Sequence, residues 1–252
     1  MFIEIDGLKI YYESKGEGEP VVLLHGWGGQ TLSFKPVFDF LVKSHRVYVL
    51  DLPGFGRSDI PPHTWGTFDY ASFIAKFFTK LGITKAHIIG HSFGGRIAIV
   101  LAANFPEVVD RLILVNSAGI RPKRTVKYYT FVTFAKIGKI LLSSRIWGKY
   151  GEQIKNALYY LVGSEDYRNA GELRDVLVKV VNEDLRDLLP KIEVPTLLVW
   201  GDKDKKTPVS HARIMEEKIK KAHLVVLKNA GHFSYLDEFP QFCRIISEFL
   251  KG

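Results

Sequence analysis

The stretch AHIIGHSFGGRIAIVLAANF, residues 86–105, carries the strongest local signal in the chain. Its first residues predict a buried strand, and the spacing from Phe93 onwards predicts a helix. Ser92 stands at the junction, between Gly90 and Gly94. A strand that turns directly into a helix leaves no room for side chains two residues on either side of the serine. The pattern predicts a strained serine at a helix N-terminus, where partial positive charge favours a developing oxyanion, although a serine that merely caps the helix is the plainer alternative.

Strand and helix patterns alternate on both sides of this stretch. They predict an α/β fold with a mostly parallel central sheet and helices on both faces. Near-continuous apolar runs predict buried strands at 21–26, 46–51, 86–91, 111–116, 196–201 and 223–228. Helical spacing predicts helices at 31–43, 68–82, 93–105, 208–220 and 238–251. The N-terminus differs, because Asp6-Gly7 between two strand-like stretches predicts an antiparallel hairpin.

The alternation stops between Asn116 and Thr196, where no convincing strand is found. A loop of that length without structure would be unusual in a compact domain, and the sequence has helical spacing instead. We therefore predict a helical cap inserted at 121–188 into an α/β core formed by 1–120 and 189–252. One apolar stripe in this cap is formed by Phe131, Phe134, Ile137 and Leu141.

The net charge of +8 originates in the predicted cap. Residues 121–155 hold nine lysines and arginines and a single acid, Glu152, which accounts for the whole excess. Because no nucleic-acid-binding module accompanies these residues, we expect no nucleic-acid partner. The favoured interpretation is a lid helix packed over the active site, and a weak interfacial contact with anionic lipid is the alternative.

Several classes of protein are excluded by what the sequence lacks. The single cysteine, Cys243, excludes an internal disulfide framework and a multi-cysteine metal site. No dinucleotide fingerprint is present, so we expect neither a cofactor nor a catalytic metal. Glu4 and Asp6 argue against a signal peptide, and no run of about 18 apolar residues could span a bilayer. We expect a cytoplasmic protein, and the choice between monomer and homodimer stays open.

Two further motifs make the chain resemble the α/β-hydrolase superfamily over nearly its whole length. His25-Gly26-Trp27-Gly28-Gly29 follows the first long buried strand, where this family places its oxyanion motif. DLPGFGRS at 51–58 resembles the D-x-P-G-x-G-x-S turn after the next strand. The resemblance implies a catalytic triad in the chain order nucleophile, acid, base, with Ser92 as the nucleophile.

The resemblance also implies the other two members of the triad. His232, in the stretch NAGHF after the last strand, is the expected base. Two aspartates compete for the acid in GDKDKKTP, residues 201–208, and relatives with this pattern use the second, which is Asp204. Asp202 is expected to hydrogen-bond the turn backbone instead. An earlier strand carries the acid in some relatives, but there this chain has the uncharged Asn116.

The remaining histidines are given structural roles. His25 is expected to orient the loop that supplies an oxyanion amide, and His91 is expected to point away from the nucleophile. The other five, at surface positions or strand ends, are His45, His63, His87, His211 and His223.

Binding of the substrate is expected to involve two groups of residues. The backbone N–H groups of Trp27 and Phe93 would bind the oxyanion. An apolar pocket would be lined by the side chains of Trp27, Phe131, Phe134 and Phe233, which suits a small apolar ester.

These residues favour a serine carboxylesterase acting on short- to medium-chain esters through an acyl-enzyme. A serine at the turn excludes the branches that use aspartate there, the haloalkane dehalogenases and epoxide hydrolases. Two alternatives stay open: a carbon–carbon bond hydrolase of the same fold, and a ligand-binding protein that has kept its triad.

Overall fold

The computed structural model describes residues 1–121 and 165–251. Most of the predicted cap, including Phe131, Phe134 and the apolar stripe, lies outside these residues. The division into a core and a cap therefore stays a prediction. Within the described ranges, no helix is long and apolar enough to cross a membrane.

The described residues form an eight-stranded sheet and eight α-helices. The strands are β1 Phe2–Ile5, β2 Leu8–Lys15, β3 Pro20–Leu24, β4 Arg46–Leu50, β5 Ala86–His91, β6 Val109–Val115, β7 Thr196–Gly201 and β8 Ala222–Leu227. The helices are α1 Lys35–Leu41, α2 Thr67–Leu81, α3 Phe93–Asn104, α4 Glu165–Asn169, α5 Arg174–Asn182, α6 Val209–Lys218, α7 Ser234–Asp237 and α8 Phe239–Lys251. Single 3₁₀ turns occupy Thr31–Phe34, Pro106–Val108, Gly171–Leu173 and Leu189–Lys191.

The sheet has the order β1-β2-β4-β3-β5-β6-β7-β8. The N-terminal hairpin is antiparallel, β2 pairs antiparallel with β4, and every later pairing is parallel. The predicted fold class is confirmed, including the hairpin. In such a sheet the loops that follow the parallel strands gather at one edge, which is where ligands bind in open α/β folds.

Apolar side chains cover both faces of the sheet, as the uninterrupted strand patterns predict. Along β5, Ile88 belongs to the core shared with α2, α3 and α6, whereas Ile89 belongs to the core shared with α1 and α8. Helix α3 is buried from Phe93 to Ala102. Its burial explains why this helix is apolar all round and lacks a polar face.

The predicted helix boundaries agree with the structure to within a few residues, with one exception. The helix predicted at 31–43 is divided into the 3₁₀ turn Thr31–Phe34 and the shorter α1. Pro36 lies in the first turn of α1, where its missing N–H has no intrahelical acceptor to lose.

The turn between β5 and α3 has the strained geometry that the glycine spacing predicts. Ser92 has φ +50° and ψ −107°, outside the conformations that residues with side chains ordinarily adopt. A Cβ added to Gly94 would lie 2.0 Å from the carbonyl oxygen of Leu24, and one added to Gly90 would lie 2.6 Å from that of Gly94. The helix start is thus pressed against the end of β3.

We predict that Gly94→Ala destabilises the fold by at least about 2 kcal/mol, because the clash is with backbone that cannot rotate away. Gly82→Ala is the matched control, since Gly82 has φ +67° but no atom within 4 Å of its would-be Cβ. It should cost only the left-handed strain of about 1 kcal/mol. Urea unfolding of both variants measures the difference, and equal losses would contradict steric contact at the turn.

Candidate active site

Ser92 and His232 lie within hydrogen-bonding distance although 140 residues separate them. The loop after β5 carries Ser92, and the loop after β8 carries His232. Ser92 Oγ is 3.0 Å from His232 Nε2. The parallel sheet brings the predicted nucleophile and base together because both follow the carboxyl ends of strands.

Asp204 completes the arrangement from the loop after β7. Its Oδ2 lies 2.9 Å from His232 Nδ1. An ionised carboxylate can only accept hydrogen bonds, so Nδ1 must carry the proton. Nε2 of the neutral ring is then an acceptor and faces the serine hydroxyl. This tautomer is the one a general base requires.

The carboxylate of Asp204 is buried and surrounded by donors. Its Oδ1 accepts the backbone N–H groups of Lys206 at 2.8 Å and Thr207 at 3.0 Å. Its Oδ2 accepts the Asn116 amide and the Thr207 hydroxyl, both at 2.6 Å. Burial acts to raise the pKa of Asp204, but the hydrogen bonds from His232 and Thr207 outweigh it and hold that pKa well below its usual value. The acid is therefore ionised throughout the physiological range.

Asn116 and Thr207 are two site residues that the sequence analysis missed as participants. Asn116 follows β6 with φ +44°, and its Nδ2 reaches the carboxylate of Asp204. The Asn116 Oδ1 in turn accepts the hydroxyl of Ser234. Some relatives carry the acid at the position of Asn116, after the earlier strand. In this chain the uncharged side chain at that position donates a hydrogen bond to the acid instead.

The expectation for the Asp202 side chain was wrong. Asp202 is exposed, and the turn bonds expected of it are made by Asp204, whose Oδ1 accepts the two following backbone N–H groups. The reason is geometric. Those two N–H groups lie two and three residues beyond Asp204, which is the spacing of a local side-chain-to-backbone turn.

Trp27 and Phe93 lie on either side of the nucleophile. Phe93 is the first residue of α3, whose first N–H groups have no intrahelical acceptor. Trp27 lies in the loop after β3, where a Cβ added to Gly26 would be 3.3 Å from Ser92 Cβ. The Trp27 and Phe93 rings meet edge to face with centroids 5.4 Å apart. Their role as oxyanion donors stays a prediction.

His25 and the DLPGFGRS turn fix the loop that holds Trp27. His25 Nε2 accepts the N–H of Leu52 at 3.0 Å, so Nδ1 donates to the carbonyl of Gly26 at 2.8 Å. Burial lowers the pKa of His25 to about 4, which keeps the ring neutral. Asp51, also buried, accepts the backbone N–H groups of Thr31 and Arg57.

His91 supports the base from behind. Its Nε2 lies 2.9 Å from the carbonyl oxygen of His232, so the ring donates there and does not compete for the serine proton. Burial, and after it the repulsion that two protonated imidazoles would exert on each other, lowers the pKa of His91 to about 3. Of the five histidines expected at surface positions or strand ends, His87 lies at the start of β5, where it is buried, and His211 lines the active-site cavity.

The Ser92 hydroxyl opens into a cavity of about 840 Å³. Trp27 and Phe233 are among its walls, as predicted. Its aliphatic walls are Ile120, Leu177, Val180 and Val181, and its basic side chains are Arg96, Arg121, Lys206 and His211. Among the described residues, the lining is therefore mostly apolar, with a basic minority and one acid, Asp166, whose Oδ2 lies 3.7 Å from Lys206 Nζ.

One basic side chain, Arg96 of α3, anchors the return from the predicted cap. Its guanidinium donates to the carbonyl of Glu183 at 2.6 Å, and the Glu183 carboxylate accepts the N–H of Thr67 at 3.0 Å. The N–H of Leu185 bonds to the carbonyl of Gly119 at 2.9 Å. These three bonds fix residues 183–185 against the core.

The sequence profile of the alpha/beta hydrolase fold matches residues 19–134 and 163–239. The chain belongs to the α/β-hydrolase-fold family. The predicted resemblance is confirmed at the level of the superfamily, and the protein is a hydrolase of this fold.

Several characterised members are similar to the chain over nearly their full length. The 2-hydroxy-6-oxo-6-phenylhexa-2,4-dienoate hydrolase of Comamonas testosteroni is 27% identical, with 98% of this chain and 93% of that protein covered. A pimeloyl-[acyl-carrier protein] methyl ester esterase of Aeromonas hydrophila is also 27% identical, with 96% and 100% covered. The structure of an esterase from Exiguobacterium antarcticum has a TM-score of 0.77 at 30% identity, with 100% of this chain and 99% of that chain covered.

The buried neutral histidines make a prediction about stability and pH. Unfolded histidines take up protons as the pH falls through about 6.5, whereas His25 and His91 stay neutral in the fold until about 4 and about 3. The unfolded state then binds more protons, so the free energy of unfolding should fall by about 1.4 kcal/mol per pH unit for each ring.

Urea unfolding between pH 8 and 5 measures this slope. His91→Gln, which keeps a donor for the His232 carbonyl, should make the slope shallower by the contribution of one ring. His223→Gln changes an exposed histidine and should leave the slope as it is. A His91→Gln slope equal to that of the wild type would contradict burial of a neutral ring.

Proposed function

We propose that the protein is a serine hydrolase that cleaves carboxylic esters of short to medium acyl chain. The observation that supports this proposal most is the continuous hydrogen-bonded path from Ser92 Oγ through His232 to Asp204. A nucleophile, an oriented base and a buried anion in contact are the requirements of covalent acyl transfer. The ionised state of Asp204 supports the proposal further.

The first half of the reaction forms an acyl-enzyme. His232 Nε2 takes the proton from Ser92 as its Oγ attacks the ester carbonyl, and the ring becomes doubly protonated beside Asp204. The Asp204 carboxylate stabilises that positive charge at 2.9 Å. His232 then gives the proton to the departing alcohol, which leaves Ser92 esterified with the acyl group.

The second half releases the acid. Water takes the place of the alcohol, loses a proton to His232 and attacks the acyl carbonyl, and Ser92 recovers its proton as the bond breaks. In both halves the negative oxygen would be bound by the backbone N–H groups of Trp27 and Phe93. Loss of one such donor typically costs about 3–4 kcal/mol of transition-state stabilisation.

The proposed substrate follows from the cavity walls. An acyl chain would lie against Trp27 and the aliphatic side chains of α5, since apolar surface removed from water contributes about 25 cal/mol per Å². Helix α5 falls within the predicted cap at 121–188, and its contribution of Leu177, Val180 and Val181 supports the proposal that the cap forms one side of the site.

Carbon–carbon bond hydrolysis is the second candidate, and the relative from Comamonas testosteroni supports it. That protein and the methyl ester esterase are equally similar to the chain at 27% identity. Arg121 in the cavity wall would hold the carboxylate of a vinylogous diketone acid, whereas Lys206 is already paired with Asp166 at 3.7 Å. Comparison of the two substrate classes on the same enzyme preparation separates the candidates.

We predict multiple turnovers on p-nitrophenyl butyrate and a loss of about 10³-fold or more in kcat for Ser92→Ala. Ser117→Ala is the matched control, because the hydroxyl of Ser117 bonds only locally, to the carbonyl of Ala118 at 2.7 Å. It should keep kcat within a few-fold of wild type.

Three other outcomes would favour one of the alternatives or contradict the mechanism. A single slow burst without turnover would favour the ligand-binding alternative. A kcat/KM higher on a vinylogous diketone than on any ester from acetate to decanoate would favour the carbon–carbon hydrolase. Near-normal turnover by folded Ser92→Ala would contradict both hydrolytic mechanisms.

The proposed role of Asp204 as the acid can be tested by moving its negative charge to position 116. Asp204→Asn should lower kcat by orders of magnitude, because the imidazole loses its orienting anion. Asp202→Asn should change kcat by less than about tenfold, since Asp202 is exposed. In Asp204→Asn/Asn116→Asp the two side chains exchange charge across a 2.6 Å contact, so part of the lost kcat should return.

Asn116→Asp alone provides the control for relocation. It sets two carboxylates side by side, which raises the pKa of one of them and should lower kcat near neutral pH. Circular dichroism establishes folding for each variant. A double variant no better than Asp204→Asn, with both proteins folded, would show that position 116 cannot replace the acid.

A further inference from the structure

A cluster of potential metal ligands lies at the end of the sheet opposite Ser92. Three neighbouring parallel strands, β4, β3 and β5, begin there side by side. In their register Pro20 is opposite Arg46, and Val21 is opposite His87. Glu19 precedes Pro20 and His45 precedes Arg46, so Glu19 and His45 are neighbours. His87 is on β5, on the other side of β3 from His45.

His87 is an unusual residue for its position. It lies within β5, a strand buried along its whole length, and is only 3% exposed itself. The pairing of β5 with β6 is irregular between Ala86 and Ile88, so the backbone departs from a regular ladder at this residue. A polar ring held in a buried strand without a catalytic role requires another explanation.

The His87 ring has a carboxylate on each side. Its Nε2 lies 3.2 Å from Glu19 Oε2, and its Nδ1 lies 3.3 Å from Asp110 Oδ2. Lys85 is bound to the other oxygen of Asp110 at 2.9 Å, which fixes that carboxylate and leaves Oδ2 facing the imidazole. The Nδ1–Asp110 contact lacks hydrogen-bond geometry, so this buried nitrogen has no hydrogen-bond partner among the described residues, and Nε2 is the nitrogen that faces Glu19.

The backbone holds the other two side chains next to this ring. The Arg46 N–H donates to the carbonyl of Glu19 at 3.1 Å, which fixes Glu19 beside the start of β4. One ligand atom from each of Glu19, His45 and His87 lies within 4.8 Å of the other two. The nearby Arg46 guanidinium is bound to Gly16 O and Ser14 Oγ.

We propose that Glu19, His45 and His87 form a binding site for a divalent transition metal, with Zn²⁺ as the ion that fits best. Two imidazoles and one carboxylate are an established zinc ligand set, with a water as the fourth ligand. Ligands about 2.0–2.1 Å from zinc lie roughly 3.3 Å apart in a tetrahedron, which the 3.2 Å between Glu19 Oε2 and His87 Nε2 already matches. His45, half-buried, is the side chain that has to turn to close the remaining gap.

The proposed metal site is separate from Ser92. His87 and Ser92 lie at opposite ends of β5, about 17 Å apart at the usual rise of a strand. Zinc would join the starts of three strands and the loop after α1, which restrains the N-terminal half of the sheet. The sequence analysis predicted no metal, because Glu19, His45 and His87 are widely separated and match no ligand motif.

The test uses Co²⁺ as a spectroscopic probe and Zn²⁺ as its competitor on the whole protein. Wild type should bind one Co²⁺ with the intense visible absorption of a tetrahedral site, and Zn²⁺ should displace it and raise Tm. Glu19→Gln and His45→Ala should each weaken Zn²⁺ binding at least tenfold and abolish the cobalt band. Both positions lie outside the proposed catalytic groups.

Matched controls exclude binding elsewhere. Glu17→Gln removes the exposed acid two residues before Glu19, and His223→Ala removes an exposed histidine of β8; neither is one of the three proposed ligands, so both should leave the cobalt spectrum unchanged. His232→Ala removes the active-site imidazole and should also leave it unchanged. No tetrahedral cobalt spectrum in wild type, or a spectrum that survives in Glu19→Gln and His45→Ala but disappears in His232→Ala, would overturn the proposal.

Discussion

A residue with a side chain at φ +50° costs about 1–3 kcal/mol and persists only where its surroundings determine it fully. At Ser92 the surroundings do so. Its N–H donates to Val115 at 3.1 Å, and its carbonyl accepts the N–H groups of Arg96 at 3.2 Å and Ala118 at 3.1 Å. The side chains of α3, buried from Phe93 to Ala102, stabilise the helix side of the turn by apolar packing. The strained conformation thus depends on β6 as much as on its own strand and helix.

The other residues of the site lie on loops that surround Ser92. Because β3, β5, β6, β7 and β8 run parallel, the loops after them bring Trp27, Ser92, Asn116, Asp204 and His232 respectively to one edge of the sheet. Each loop is then held by a group from another loop: His91 holds the backbone of His232, and Asn116 holds Asp204. The precision of the site comes from such cross-loop bonds, since loops without them are mobile.

The sequence was sufficient for the fold, and three residues predicted from motifs, Ser92, Asp204 and His232, lie in contact in the structure. Ser92 is identified by the local need for glycine at a tight turn, and alternation of buried strands with helices is a periodic signal that survives without a structure. Asn116 could not be identified, because its contact with Asp204 depends on how far β6 and β7 extend before they turn. Thr207 lies three residues after Asp204, and the local backbone path of that turn brings its hydroxyl to the carboxylate. The error at Asp202 has a similar origin. From the sequence, either aspartate could accept the backbone N–H groups of the turn, and only the path of the backbone determines which one does. Glu19, His45 and His87 come together solely through strand register.

The three bonds that fix residues 183–185 have a mechanical consequence for access to the cavity. Arg96, in the first turns of the nucleophile's own helix, is bound to the backbone at Glu183, so the chain that returns from the predicted cap moves with the catalytic core at that point. Burial lowers the Arg96 pKa to about 10, which still leaves the guanidinium charged at neutral pH and the attachment strong. A movement of α5 away from the cavity would have to bend the chain before Glu183, because the bond from Arg96 holds the backbone in place at that residue.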